Sequence, residues 1–290
     1  MMNPVGVHAL VWAGDLTPKS VARIVTESKR AGYDFIELSL HDLTDFDQDG
    51  LRELLVAEKM GVSCSRGLAF DADVSSEDPV VVARGVQLLE ESLQVASRIG
   101  AKYLCGGLYS AFGKYQQPVS AQGRRNVVDS LKRVADRAAQ YDITLGLEIV
   151  NRYESNVVNT TEQALEILEQ VGSPQLKVHL DIYHMNIEEA DFYSPVLACG
   201  DKLGYVHIGE NHRGYLGSGH LDFPSFFHAL AHINYQGPIA FESFSSAVVS
   251  RGLSVDLSIW RNLWSDGFDL ASHARRFIDG HLQASRKQGA

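Results

Sequence analysis

The chain has 290 residues, 45% of them hydrophobic and 21% charged, with a formal net charge of -10. This is the composition of a globular protein with room for one large α/β barrel or two ordinary domains. Its Lys and Arg residues are scattered, with Arg124-Arg125 and Arg275-Arg276 the densest pairs, so it lacks the basic face that nucleic acid requires.

No apolar run approaches the ~20 residues of a membrane span. The start, MMNPVGVHALVW, has no basic region before its apolar stretch, so no signal peptide and no membrane attachment are expected. Cys64, Cys105 and Cys199 are odd in number and far apart, which suits buried thiols in a reducing, cytoplasmic setting.

In chain order, VGVHALVW (5–12) is a short apolar run, and residues 17–31 then space their apolar side chains as a helix does. The same strand-then-helix phrase recurs with DFIELSL, VSCSRGLA and KYLCGGLYS in the first half. TLGLEIVNR, LKVHLDIYH, LGYVHIGEN and PIAFESFS continue it in the second. Gly32, Gly61, Gly100 and Gly172 stand where helices would end on left-handed caps.

Eight such units with no Pro/Gly/Ser-rich linker predict one α/β domain over residues 1–290, a closed (β/α)8 TIM barrel. No glycine fingerprint follows the first strand, so no nucleotide cofactor is expected.

Reactive groups of such a barrel come from the C-terminal ends of its strands. Strand five carries Glu148, strand six Asp181, strand seven His207 and strand eight Glu242, each a single ionisable group in apolar sequence. Three converging carboxylates need a positive charge among them, and a divalent cation held by these four residues supplies it. Oxygen-rich ligation with one imidazole suits Mn2+ first, with Co2+ or Mg2+ also suitable. Glu37, at the end of strand two, reads as an internal ion-pair member. His41, His212 and His220 read as loop histidines.

At LEIVNRYESN, LDIYHMNIEEAD, YVHIGENHRGYLGSGHLDF, FESFSS and IWRNLW, the sequence resembles the ketose 3-epimerases, the group that includes D-tagatose, D-allulose and L-ribulose 3-epimerases. The resemblance covers nearly the whole chain. It implies a one-metal barrel that inverts C3 of a free ketose, with Glu148, Asp181, His207 and Glu242 as metal ligands and Glu148 and Glu242 also as the acid/base pair. It further implies that Glu154, His184 and Arg213 grip the O1–O3 end of the sugar, and that the chain works as a homodimer or homotetramer.

Three positions depart from relatives, all toward the far end of the sugar: Ser65 for a cysteine, Phe112 for a tryptophan, and His8 for an aromatic carbon ring. Trp12, Phe112 and Phe244 are candidates to pack on sugar C–H faces. Trp260 and Trp264 fit core packing, a stiffened last helix or a subunit contact equally well.

The chemistry would be removal of the C3 proton next to the C2 carbonyl, then its return on the opposite face, so one base is needed on each face. A cation on O2 and O3 would stabilise the developing charge. Competing readings are an aldose–ketose isomerase of the same superfamily, a metal-dependent phosphodiesterase acting on abasic DNA, and a non-catalytic sugar-binding protein. The second would need more histidines on early strands and a basic groove.

Overall fold

The structure is a computed structural model that describes residues 3–249, 251–256 and 258–288. Eight parallel strands close into a barrel in sequence order. They are β1 (Val5–His8), β2 (Phe35–Ser39), β3 (Gly61–Ser65), β4 (Tyr103–Gly106), β5 (Thr144–Glu148), β6 (Leu176–Asp181), β7 (Leu203–Ile208) and β8 (Ile239–Phe241). β8 pairs with β1 through Val5↔Ile239, Gly6↔Ala240 and Val7↔Phe241, which closes the ring and leaves no sheet edge. The predicted (β/α)8 barrel is therefore the fold.

The covering helices are α1 (Pro18–Arg30), α2 (Gln48–Glu58), α3 (Pro79–Ile99), α4 (Ala121–Tyr141), α5 (Thr161–Val171), α6 (Ile182–Glu188), α7 (Ser194–Cys199), α8 (Phe223–His232), α9 (Arg251–Asp256) and α10 (Gly267–Gln288). Local chemistry sets their ends. In α1, Thr17 accepts from the Ser20 N–H and Pro18 opens the first turn, while Val21, Ile24 and Val25 form the buried stripe. A reciprocal Thr160/Gln163 capping box starts α5, and Gly172 ends it in the left-handed conformation. Among the described residues, no helix is long and apolar enough to cross a membrane.

Two expectations are corrected. α2 ends on Lys59 at φ 52°, not on Gly61, which is already the first residue of β3. Gly61 is glycine for another reason: a Cβ there would meet the Phe35 Cβ at 2.9 Å. Two short helices, α6 and α7, follow β6 where one helical segment was expected.

Strand side chains alternate, so residues two apart share the barrel interior. Phe35, Cys105, Tyr205 and Ala240 pack together in one buried interior cluster. Stepping two residues toward the strand ends gives Glu37 after Phe35, His207 after Tyr205 and Glu242 after Ala240. Gly6 keeps this lower level passable, since a Cβ there would lie 2.2 Å from the Phe35 ring. The apolar level thus becomes the floor of a polar one at the C-terminal mouth.

Candidate active site

The four strand-end groups meet. His207 Nδ1 lies 3.4 Å from Glu148 Oε1, 3.7 Å from Glu242 Oε1 and 3.9 Å from Asp181 Oδ2. Register accounts for part of this, because Asp181 pairs with His207 directly across β6 and β7. Buried and with no hydrogen-bond partner among the described residues, His207 Nδ1 faces acceptors on three sides. Asp181, His207 and Glu242 offer ligand atoms within 4.8 Å of one another.

Such an orphaned nitrogen among carboxylates fits a divalent cation. Left to itself, the cluster is proton-hungry. Burial disfavours a charged imidazole, but Glu37 and Glu242 outweigh it and push the His207 pKa well above its ordinary value. Burial likewise pushes Glu148 up to about 7, although His207 pulls against it.

β6 runs into α6 without a loop, so Asp181 is both strand end and helix cap. Its Oδ1 accepts from the Tyr183 N–H at 2.7 Å, and its Oδ2 is left to face the cavity. His184, in the first turn of α6, accepts at Nδ1 from the Asn151 backbone N–H at 3.1 Å. The Nε2 of the neutral ring therefore carries the proton. It points toward Asp181 Oδ2 at 3.7 Å and Glu154 Oε2 at 4.0 Å, so His184 offers a donor to the cavity. Burial and the nearby Arg213 hold its pKa well below normal.

Asn151 also donates from Nδ2 to Glu154 Oε1 at 2.8 Å, so one amide sets both groups. Arg213 reaches in from the loop after β7. Its Nη1 lies 2.7 Å from Glu242 Oε2 and 3.3 Å from Asp181 Oδ2, with the guanidinium carbon 3.7 Å over the Tyr183 ring. The residue sits at φ 61°, uncommon outside glycine, so its surroundings must hold it there.

They do so from three directions. Buried Glu210 accepts from the N–H groups of Asn211 and Gly217, Ser243 donates to the Arg213 carbonyl, and Trp264 Nε1 donates to Ser243 Oγ at 2.8 Å. Trp264 thus pins the loop from the buried side, whereas Trp260 is 69% exposed.

A cavity of about 80 Å³ includes His8, Ser65, Phe112, Glu148, Glu154, His184, His207, Arg213, Glu242 and Phe244 in its walls. His8 accepts at Nδ1 from the Leu10 N–H at 3.3 Å, and its Nε2 lies 3.3 Å from Ser65 Oγ. Gly67 and Gly107 make room for the Phe112 ring, which a Cβ at either would meet within 3 Å. Trp12 does not reach the cavity: β1 leaves through a 3-10 turn over Ala9–Val11, and Trp12 is 1% exposed in the main core.

Residues 25–271 match the family model described as xylose isomerase-like TIM barrel. The chain is 48% identical over 280 residues to the ketose 3-epimerase of Arthrobacter globiformis, covering 97% of each. The chain belongs to the ketose 3-epimerases. It is also 48% identical over 273 residues to the L-ribulose 3-epimerase of Methylomonas sp. (strain DH-1), covering 94% of this chain and 96% of that one. The crystal structure of a D-allulose 3-epimerase from Methylomonas sp. in complex with D-allulose superimposes with a TM-score of 0.94 at 47% identity, over 97% of each chain.

This ketose 3-epimerase is an isomerase-class enzyme, and its buried His/Glu/Asp cluster could bind a divalent metal. Its site also uses residues that reading the sequence passed over. Asn151 and Tyr183 act on His184 and Arg213, which are distant in sequence, whereas Glu210 braces its own loop through Asn211 and Gly217. His179 and Tyr205 did leave a signal, each lying two residues before a strand-end group in VHLD and YVH.

Proposed function

We propose that this epimerase inverts C3 of a free ketose of the D-allulose/D-fructose, D-tagatose or L-ribulose class, with a divalent metal, preferentially Mn2+, held by Glu148, Asp181, His207 and Glu242. The observation that carries the metal is His207 Nδ1, without a hydrogen-bond partner among the described residues and within 3.4–3.9 Å of three carboxylates. That carrying the reaction is the close relationship to proteins named ketose and L-ribulose 3-epimerase. A bound divalent ion would supply Lewis acidity to the carbonyl and hydroxyl oxygens at C2 and C3.

The chain's own residues do the rest. Glu148 and Glu242 stand on β5 and after β8, separated by β6 and β7, and so can address opposite faces of C3. One takes the C3 proton and the other returns a proton from the far side. His184 Nε2–H and Arg213 donate to sugar oxygens near O1–O3, and Glu154 accepts from a hydroxyl there. His8, Ser65, Phe112 and Phe244 line the side that would receive C4–C6.

The test is to load the protein with Mn2+, incubate it with D-fructose, D-tagatose and L-ribulose in D2O, and follow products and deuterium by NMR. C3 epimers labelled at C3, with formation abolished by a chelator, are the expected result. Aldose products, or no product from any ketose, would overturn the assignment.

A further inference from the structure

Below the proposed metal ligands lies a polar chain that the reaction itself does not touch. Glu37 is fully buried, and its Oε2 accepts from His207 Nε2–H at 2.9 Å and from the Tyr205 hydroxyl at 2.7 Å. Ser63 Oγ is 2.7 Å from the same Tyr205 hydroxyl, and Ser63 sits opposite Glu37 in the β2–β3 register. Counting hydrogens fixes the direction of the chain. Tyr205 has one, given to Glu37, so Ser63 must donate to Tyr205.

We propose that Glu37, held by Tyr205 and Ser63, is a positioning residue that fixes His207 with its proton on Nε2 and its Nδ1 lone pair turned to the metal. This rests on the reading of His207 as a metal ligand. A carboxylate receiving two donors on one oxygen leaves His207 Nε2 only the donor role, so the lone pair must be on Nδ1. The ring plane is fixed as well, since His179 lies edge-on to His207 at 4.2 Å and to Tyr205 at 4.9 Å.

The cost of this arrangement argues for a purpose. Barrel interiors are ordinarily filled by branched apolar side chains, and a buried carboxylate is costly even when well hydrogen-bonded. Here the carboxylate stands one step above the apolar floor, level with His207 along the strands, and accepts directly from its Nε2–H. Among the described residues Glu37 Oε1 has no hydrogen-bond partner, and the His8 Nε2 that faces it lies 3.8 Å away on a neutral ring. A residue kept for barrel stability alone would be expected to satisfy both oxygens.

The experiment strips metal from the wild type, Glu37→Gln and Tyr205→Phe, then titrates Mn2+ and reads free ion by EPR, with the melting midpoint of each metal-free protein as the folding check. Glu37→Gln should keep its fold and bind Mn2+ about 10- to 100-fold more weakly. Tyr205→Phe, which leaves the Glu37–His207 contact in place, should show a smaller loss. Unchanged Mn2+ affinity in a folded Glu37→Gln overturns the positioning role while leaving the metal reading intact. If Glu37→Gln does not fold, Tyr205→Phe decides: weaker binding supports the role and unchanged binding overturns it. Failure of the wild type to bind Mn2+ removes the metal reading, and the inference with it.

Discussion

Arg213 Nη1 lies 2.7 Å from Glu242 Oε2 while the guanidinium stacks 3.7 Å over Tyr183. Against the cost of burial, Arg213 and His207 keep the Glu242 pKa below its ordinary value, whereas Glu148, which has no arginine at hand, is pushed up to about 7. The two glutamates proposed to serve one carbon are thus biased in opposite senses, as that proposal requires of an acid and a base. Arg213→Ala should lower kcat/KM by about 100-fold, since hydrogen bonds to charged groups contribute about 1.5–3 kcal/mol each. Arg213→Lys, which keeps the charge but loses the planar fork, should fall between it and wild type. Steady-state kinetics showing Arg213→Lys equal to wild type would mean that charge alone is used.

The proposed two-base arrangement has its own signature. Glu148→Gln and Glu242→Gln should each lower epimerisation by about 10²–10⁴-fold, the usual range for a lost general base or acid. Each variant should still exchange the C3 hydrogen of one epimer with D2O, and the favoured epimer should differ between the two. Mass spectrometry of recovered D-allulose and D-fructose reads this directly. Full turnover in either metal-loaded variant removes that glutamate from the proton path.

How much of this was legible follows from the range of each contact. Glu148, Asp181, His207 and Glu242 stand out as ionisable groups at the ends of four successive, mostly apolar strands, the place from which a barrel draws its reactive side chains. Lys59 was not legible as a helix cap, because a left-handed lysine leaves no mark in sequence and Gly61 nearby looked the better candidate. Trp12 belongs to the same apolar run as β1, but the 3-10 turn over Ala9–Val11 swings it into the core. Asn151 was visible as a polar residue after β5. Its hold on His184 depends on α6 arriving beside it, which no local pattern announces.

At the far end of the cavity, the His8 Nε2–Ser65 Oγ pair at 3.3 Å replaces what relatives are expected to fill with carbon rings or sulfur. His8 is neutral, because burial lowers its pKa more than Glu37 raises it, and with Nδ1 accepting from Leu10 its Nε2–H is free to donate to Ser65. The Ser65 hydroxyl is then available to a sugar hydroxyl. Ser65→Ala should change the ratio of kcat/KM for D-fructose over D-tagatose, which differ only at C4, by up to about 10-fold, the size of one hydrogen bond. Mn2+ affinity should not move. An unchanged ratio would place C4 recognition elsewhere in the cavity.

Metal uptake should be pH-dependent, with a sign set by the groups that face His207 Nδ1. Burial raises the Glu148 pKa to about 7, and the surrounding carboxylates raise that of His207 despite its burial. Without the ion, His207 therefore keeps its extra proton and Glu148 is partly protonated in neutral solution. A cation requires the carboxylate and the free Nδ1 lone pair, so binding must expel those protons. As the pH falls below about 7, the apparent Mn2+ affinity should drop, approaching tenfold per pH unit for each proton displaced. The effect should flatten above the range where Glu148 titrates, leaving only the His207 proton to be displaced. Calorimetric titrations in buffers of different ionisation enthalpy count the released protons. An affinity independent of pH between 5.5 and 7 would show that the cluster enters binding already deprotonated.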